Sequence, residues 1–478
     1  MIWQDIHHRR LKNVMQSLAR GQPMKVKAIR PLRIAVIGSG ISGLSCAWLL
    51  NQHHQVTLFE KDDRLGGHSN TVDVRVDGKL IPVDTGFIVF NPVNYPNLVK
   101  FFEELNVSSI ETEMSFAVSM DQGRLEYSGT SINGLFAQRS NLLKPRFWKM
   151  IADLLRFYRE SGGMLNSTEF ESLTLRELLA RGGYGEAFVR DHLIPMGAAI
   201  WSTPADKMLD YPAQSFLRFC QNHGLVQLEN RPQWRTVIGG SREYVSRIAH
   251  ALEGQIRLNS HIHRIHRLDG KVILEDLHGG RETFDHVVLA CHADQSLEML
   301  AQPDSLESDL LSKFPYQRNR AILHCDTSLM PRRKSAWASW NYLSDSNSES
   351  DSDLSVTYWM NRLQPLSTDK PLLVTLNPVV EPEAGSIHRS FLYDHPVFSL
   401  ESINAQKQLW TLQGHRNTWF CGAYFGYGFH EDGLQSGLAV AEALGGIQRP
   451  WQVAEPNGRI HVHSPKRPCS PLAQEAVA

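Results

Sequence analysis

From Ile34 to Leu50 the chain runs for 17 residues without a charge, interrupted only by glycines and serines. Such a run satisfies a scan for membrane spans. The glycine turn in its middle divides it instead into a buried strand, Arg33 to Ile37, and a helix, with a second strand following and ending at Glu60. Strict alternation in Thr71-Val72-Asp73-Val74-Arg75-Val76, then Asp77-Gly78 and Leu80-Ile81-Pro82-Val83, predicts a β-hairpin leading into Asp84-Thr85-Gly86-Phe87. From Tyr95 to about Asn230 the pattern reads as mostly helical. In Arg146 to Tyr158, for example, Phe147, Met150, Ile151, Leu154, Leu155 and Tyr158 recur at helical spacing. Ala198-Ala199-Ile200-Trp201 ends an apolar helix before Ser202-Thr203-Pro204, facing either core or substrate.

After Gly239-Gly240-Ser241 the pattern predicts a helix through Leu252, a strand Gln255 to Leu258, and alternating Ile262, Ile265 and Leu268. Asp285 to Cys291 and Trp419 to Ala423 read as buried strands, the latter followed by a helix from about Gly433 to Leu444. Between them, Ala321 to Pro378 reads as strands, including Ala336 to Tyr342 and Ser355 to Met360. Ser344 to Asp353 is almost wholly Ser, Asp, Asn and Glu, too polar to bury, and reads as a loop between those two strands. Residues 448–478 carry five prolines and read as a tail. The resulting layout has a basic arm (1–31), a dinucleotide-binding domain in three pieces (32–95, 230–300, 415–447), an interleaved second domain (96–229, 301–414) and the tail.

Composition narrows the classes of function. With 49 Lys plus Arg against 50 Asp plus Glu, the net charge calls for no nucleic acid or acidic polymer. Six scattered cysteines suggest neither a zinc site nor a disulfide framework, so a reducing cytoplasm fits best, and no metal site is expected. The start of the chain lacks a secretion signal's apolar run and cleavage site. Residues 1–33 hold eight Lys or Arg against one Asp; this arm reads as a solvated terminus or as a contact to the inner face of an anionic membrane. Lys144, Arg146, Lys149, Arg156 and Arg159, beside Phe147, Trp148, Phe157 and Tyr158, allow either an interfacial helix on lipid or a core stripe with a solvated cationic face.

The chemistry concentrates in Gly38-Ser39-Gly40-Ile41-Ser42-Gly43. Gly38 permits a sharp turn, Gly40 lets backbone N–H groups approach a pyrophosphate, Gly43 lets helix pack on strand, and the helix N-terminus at Ile41 and Ser42 faces the phosphates. Glu60, 17 residues past Gly43, is placed to accept from ribose hydroxyls. Lys61 to His68 follows at once, with Gly66-Gly67 allowing close backbone approach and Arg64 offering a phosphate fork.

Together these motifs resemble the amine oxidase and phytoene desaturase superfamily of flavoproteins over roughly residues 32–446. The resemblance rests on Gly38 to His68, on the strands around Ile262 and Val287 to Ala290, and on Phe420 to Ala423 with Gly428 to Gly437. It implies an α/β fold: a Rossmann-like, glutathione-reductase-type FAD-binding domain with an interleaved α+β substrate domain. It also implies that Gly38, Gly40 and Gly43 hold the pyrophosphate, Glu60 the adenosine ribose, and Arg64, Gly67 and His68 the phosphate and ribityl region, with Lys61 and Gly66 counted among the cofactor-binding residues. Ile262 would sit by the adenine, Ala290 counts among the cofactor-binding residues, and Asp84, Thr85 and Gly86 would lie near the isoalloxazine. Gly422 and Glu431-Asp432-Gly433-Leu434 would face phosphate, ribityl chain and pyrimidine edge, with a helix N-terminus at Gly433 stabilising a reduced ring. Asp432 stands where the amine oxidases carry glycine. Val83 to Asn91, Ala336 to Tyr342 and Tyr424 to Leu434 are similar to a bacterial branch of NAD/FAD-binding proteins. That branch is linked to modification of membrane fatty acyl chains, including desaturation of methyl-branched chains on the way to furan fatty acids.

A flavin accepts hydride at N5, so no protein nucleophile is required. The first expectation is an FAD-dependent desaturase or dehydrogenase of a lipid or fatty acyl substrate, alongside an acyl-modifying partner enzyme. Trp201, Trp337, Trp340 and Trp359 then line a channel or simply fill a core. The second is an amine oxidase with Tyr424 and Tyr427 framing a neutral amine, a pair that serves packing equally well. The third is a flavin-holding partner or regulatory protein, and isomerisation without net redox change is a further outcome. His430 reads as a donor or proton carrier at the flavin or as a satisfied supporting residue.

Overall fold

The computed structural model describes residues 30–165, 167–170, 172–201, 205–227, 231–344 and 354–463. The basic arm before residue 30, Ser202-Thr203-Pro204, nearly all of the acidic loop and the end of the tail lie outside them. Five strands that are far apart in sequence form one parallel sheet in the order Ile256–Arg257, Gln55–Phe59, Arg33–Ile37, His286–Leu289, Thr418–Phe420. Ile34, Ala35 and Val36 are fully buried, as continuous apolar runs in parallel sheets must be. The helices Ile41–Leu50 and His430–Gly445 pack against each other, the first starting at the turn that follows the strand Arg33–Ile37. They approach closely because a side chain at Gly437 would stand 2.2 Å from the Ser42 carbonyl, and one at Gly433 2.8 Å from Ser42 Oγ.

The hairpin appears as Thr71–Val76 paired with Lys79–Asp84, with Asp77 and Gly78 both at positive φ in the turn. Ile262–Leu268, Lys271–Asp276 and Arg281–Phe284 make a three-stranded antiparallel meander.

A seven-stranded mixed sheet carries the other half of the molecule, in the order Ile387–Pro396, Tyr316–His324, Leu373–Leu376, Leu354–Trp359, Trp340–Ser344, Phe116–Met120, Leu125–Ser128. Its core includes Val118, Tyr342, Tyr358 and Val374 and is covered by Phe147 and Met150 of the helix Pro145–Leu165 and by Ala198 and Ala199 of Ile194–Trp201.

Two expectations are corrected here. The region from Tyr95 to Asn230 is not mostly helical at its start: Ser109–Thr112, Phe116–Met120 and Leu125–Ser128 are strands. Phe116–Met120 is a short apolar run whose period alone cannot separate strand from helix, and its parallel partner, Trp340–Ser344, lies far along the chain. The last helix begins at His430, not near Gly433, because the Asp432 carboxylate reaches back to the Phe429 N–H at 2.7 Å and fixes the start earlier. Among the described residues, no helix is long and apolar enough to cross a membrane.

Candidate functional site

Parallel register brings the chain's signature residues to one edge. Gly38, Glu60, Ala290 and Cys421 each follow the last residue of a strand, and each N–H donates to a neighbouring strand: Gly38 to Phe59 (2.8 Å), Glu60 to Arg257 (2.9 Å), Ala290 to Ile37 (2.8 Å) and Cys421 to Leu289 (3.0 Å). The carboxyl edge of a parallel sheet is where open α/β folds bind ligands.

The glycines of the first turn serve different ends. Gly38 adopts φ +102, and a side chain there would meet the Ala290 carbonyl at 2.7 Å. One at Gly43 would meet the Gly38 carbonyl at 1.9 Å. Both are required by the fold. Gly40 is not: its φ of −63 and ψ of 176 suit any residue, and nothing lies within 4 Å of where its Cβ would stand. It precedes a helix with no side-chain cap, so the first N–H groups of Ile41–Leu50 open onto that space.

Around it, Glu60 Oε2 accepts from Ser39 N–H at 2.9 Å and from its hydroxyl, while Oε1 accepts from Asp62 N–H at 3.0 Å. Each carboxylate oxygen keeps capacity for a ribose hydroxyl. Gly67 lies against Gly40, its would-be Cβ 3.2 Å from the Gly40 Cα, so the two glycine turns face each other. Arg64 turns back on its own loop, donating to the Gly67 carbonyl at 2.8 Å, and Lys61 is exposed. Gly66 N–H donates to the Ser39 carbonyl at 3.0 Å. Ser260 N–H donates to the Glu60 carbonyl at 2.8 Å, which carries Ile262 to the same end.

His68 follows the glycine pair, stacked on Tyr393 (5.0 Å) and beside His395 (5.2 Å). Its buried Nε2 has no hydrogen-bond partner among the described residues, and burial pushes its pKa down to about 4. Gly86 fits under it, since a side chain there would stand 2.2 Å from the His68 carbonyl. Thr85 donates to the Asn70 carbonyl at 3.1 Å and pairs with the Tyr393 hydroxyl at 2.8 Å. Asp84 is committed to protein donors: Ser241 N–H (2.9 Å) and hydroxyl (2.7 Å), Thr71 (2.6 Å) and Gln364 Nε2 (2.9 Å). Burial still raises it to about 6.

The C-terminal motif divides likewise. Gly422 N–H donates to Ser436 Oγ at 3.0 Å. Leu434 is buried. Asp432 holds the Phe429 N–H and pairs with Arg459 at 3.3 Å. Glu431 turns away from the turn and caps the helix Pro96–Glu104, accepting from Asn97 N–H (3.1 Å), Asn97 Nδ2 (2.9 Å) and Leu98 N–H (3.0 Å). Glu431→Ala would leave these buried donors without an acceptor, and is expected to lower stability by about 2–3 kcal/mol in urea unfolding. A change within error would show that water replaces the carboxylate.

His430 stacks on Phe87 at 3.8 Å, and its Nε2 lies 2.7 Å from the Tyr244 hydroxyl and 3.2 Å from Ser69 Oγ. Tyr244 and Ser69 also bond to each other. Burial pushes His430 down to about 3, so the ring is neutral. Sequence reasoning missed Ser69, Phe87 and Tyr244 as its partners; Phe87 and Ser69 adjoin noted motifs, but nothing local marks Tyr244. Tyr424 is not paired with Tyr427: its ring packs on Phe314 (5.3 Å) and Phe425 (5.0 Å) under Gly422, and Tyr427 is only half-buried.

An uncapped helix start opening onto a space that Gly40 alone keeps clear, a buried acidic residue at the next strand's end and an unpartnered His68 Nε2 fit a dinucleotide cofactor. The chain matches the flavin containing amine oxidoreductase model over residues 41–445 and belongs to that family; its cofactor is FAD. Among curated proteins it is 24% identical over 334 residues to amine oxidase [flavin-containing] A of Sus scrofa, covering 65% of this chain and 58% of that one. It is 26% identical over 294 residues to 15-cis-phytoene desaturase of Arabidopsis thaliana, covering 57% and 50%. The chain thus spans only half to three-fifths of the length of these relatives. Among solved structures it shares its fold with the CLA-producing fatty acid isomerase from P. acnes, at a TM-score of 0.62 and 18% identity over 86% of this chain and 98% of that one.

Proposed function

We propose that this protein is an FAD-dependent oxidoreductase that removes hydride from an acyl chain, with a methyl-branched, unsaturated membrane lipid as the substrate class. The observation that carries this reading is the aromatic wall against the residue preceding His430. Phe429 stacks on Phe219 at 4.6 Å and meets Trp201 at 6.4 Å, and Trp201 in turn packs on Tyr211 (4.6 Å) and Phe219 (4.7 Å). His223, at 5.7 Å from Phe429, is held neutral, pushed down to about 3 by burial. An aromatic cluster of this chemistry suits an alkyl chain and offers no fixed anion for an ammonium. The nearby buried carboxylates support the same choice, because Asp84, Glu431 and Asp432 are each taken up by protein donors, which leaves them poorly placed to pair with an ammonium.

FAD supplies hydride acceptance at N5. The chain's part is to orient the acyl C–H, to exclude water with Phe429, Trp201 and Phe219, and to hold a neutral imidazole at His430 through Tyr244 and Ser69. Trp337 and Trp359 meet each other edge to face at 5.3 Å, and Trp340 meets Tyr358 at 5.2 Å, which is packing within the seven-stranded sheet. By name, two of the relatives are a desaturase of phytoene and an isomerase of a fatty acid, which agrees with an apolar substrate.

Mass spectrometry of the lipid after one anaerobic turnover tests the reading. A chain lighter by a pair of hydrogens for each flavin reduced is expected. A chain of unchanged mass with a shifted double bond would replace it by isomerisation, and amine deamination would replace it by amine oxidation. His430→Ala removes the ring stacked on Phe87 and takes one of the two hydrogen-bond partners from the Tyr244 hydroxyl, leaving Ser69. Stopped-flow reduction by lipid should slow about tenfold or more, and an unchanged rate would take His430 out of the reaction.

A further inference from the structure

The segment between the strand Leu125–Ser128 and the helix Pro145–Leu165 exposes large apolar side chains together. Leu143 is 87% exposed, Ile132 80%, Trp148 48% and Leu142 46%. Local bonds join them into one surface: Trp148 Nε1 donates to the Leu142 carbonyl at 2.9 Å, Phe136 packs on Trp148 at 5.6 Å, and Arg139 donates to the Phe136 carbonyl at 3.1 Å. From Tyr127 to Ala152 the chain holds Arg139, Lys144, Arg146 and Lys149 and no Asp or Glu. Arg146 is paired with Asp191, but among the described residues Arg139, Lys144 and Lys149 have no carboxylate partner. Exposed apolar side chains in a segment that also carries cations without carboxylate partners match a surface that is negative outside and hydrocarbon inside.

We infer that this face docks on an anionic phospholipid bilayer, with Leu143, Ile132 and Trp148 entering the acyl boundary and Arg139, Lys144 and Lys149 meeting lipid phosphates. A second copy of this chain is a poorer occupant, because a two-fold contact would set the cations against one another. The helix behind the face presents Phe157 to Phe188 at 5.4 Å on its buried side, so the patch is backed by packed structure. Docking does not depend on which substrate the site takes.

The test is sedimentation of the full-length holoprotein with vesicles of dimyristoyl phosphatidylglycerol or of dimyristoyl phosphatidylcholine. Their saturated straight chains keep binding separate from turnover. Salt-sensitive binding to the anionic vesicles is expected. Ile132→Asp with Leu143→Asp, and separately Lys144→Glu with Lys149→Glu, should each weaken it at least about tenfold. Flavin content and Tm should stay as in the parent, since these side chains are exposed or partly so. Parent-like binding by both double variants would overturn the inference, whatever the basic arm contributes. So would equal binding to both lipids, or a dimer that Leu143→Asp converts to monomer.

Discussion

A Gly40→Leu protein is expected to fold as the parent does and to purify colourless. The backbone at Gly40 is in an ordinary extended conformation and its missing side chain faces open space, so substitution costs the apoprotein little. With the pyrophosphate placed in that space at the helix N-terminus, as the motif implies, a leucine there would exclude the cofactor. Gly43→Ala makes the contrast. Its Cβ would stand 1.9 Å from the Gly38 carbonyl, forcing helix from strand at a cost of about 1–3 kcal/mol, so it should lose flavin and stability together. The flavin-to-protein absorbance ratio and the Tm of the apoproteins separate the two. A yellow Gly40→Leu protein would remove the pyrophosphate from this turn.

Mild acid should destabilise the protein, through imidazoles that the fold keeps neutral. His192 and His223 are buried and held neutral, at about 4 and about 3. Their Nδ1 atoms are bonded to the Tyr127 hydroxyl and the Phe219 carbonyl, at 2.9 Å each, and neither Nε2 has a partner among the described residues. Because the folded values lie below the unfolded value near 6.5, the unfolded chain takes up protons first. Their contribution is steady above about pH 6.5 and falls as pH drops, by about 1.4 kcal/mol per unit for each, until the folded values are reached. At pH 5 the pair alone withdraws about 4 kcal/mol. His68, His395 and His430, partly buried and also lowered, add to the same trend. Asp84, raised to about 6 by burial, and Glu431 and Asp432, raised by burial as well, work the other way and favour the folded state as pH falls, but they are three carboxyls against five lowered imidazoles. Urea unfolding at pH 7, 6 and 5 should show a steadily falling midpoint. A flat midpoint over that range would mean that these imidazoles reach water.

The parts of the site written in adjacent residues were legible in the sequence. Gly38 to Gly43, Glu60 and the Gly66-Gly67 pair carry their own turns and offsets, and the strand Arg33–Ile37 stands where its apolar run places it. What was not legible depends on distant partners. Glu431 falls inside a flavin-like motif, yet its carboxylate serves a helix that starts at Pro96, because capping depends on what tertiary packing brings near. Tyr244 lies in an amphipathic helix like any core tyrosine, and only the fold sets its hydroxyl on His430. Tyr424 and Tyr427 look like a pair by spacing, but a short 3₁₀ turn over Ala423–Phe425 sends the first into the core. Leu142 and Leu143 carry no periodic signal, and their exposure appears only once Phe147 and Met150 have taken the core side of the helix.

The most direct measurement is the anaerobic visible spectrum of the purified protein before and after phospholipid carrying methyl-branched unsaturated chains is added. An oxidised flavin band that bleaches with this lipid and persists with alkylamines and polyamines is expected. A band that bleaches with amines and ignores lipid would contradict the acyl substrate, and a protein without any flavin band would contradict the site itself.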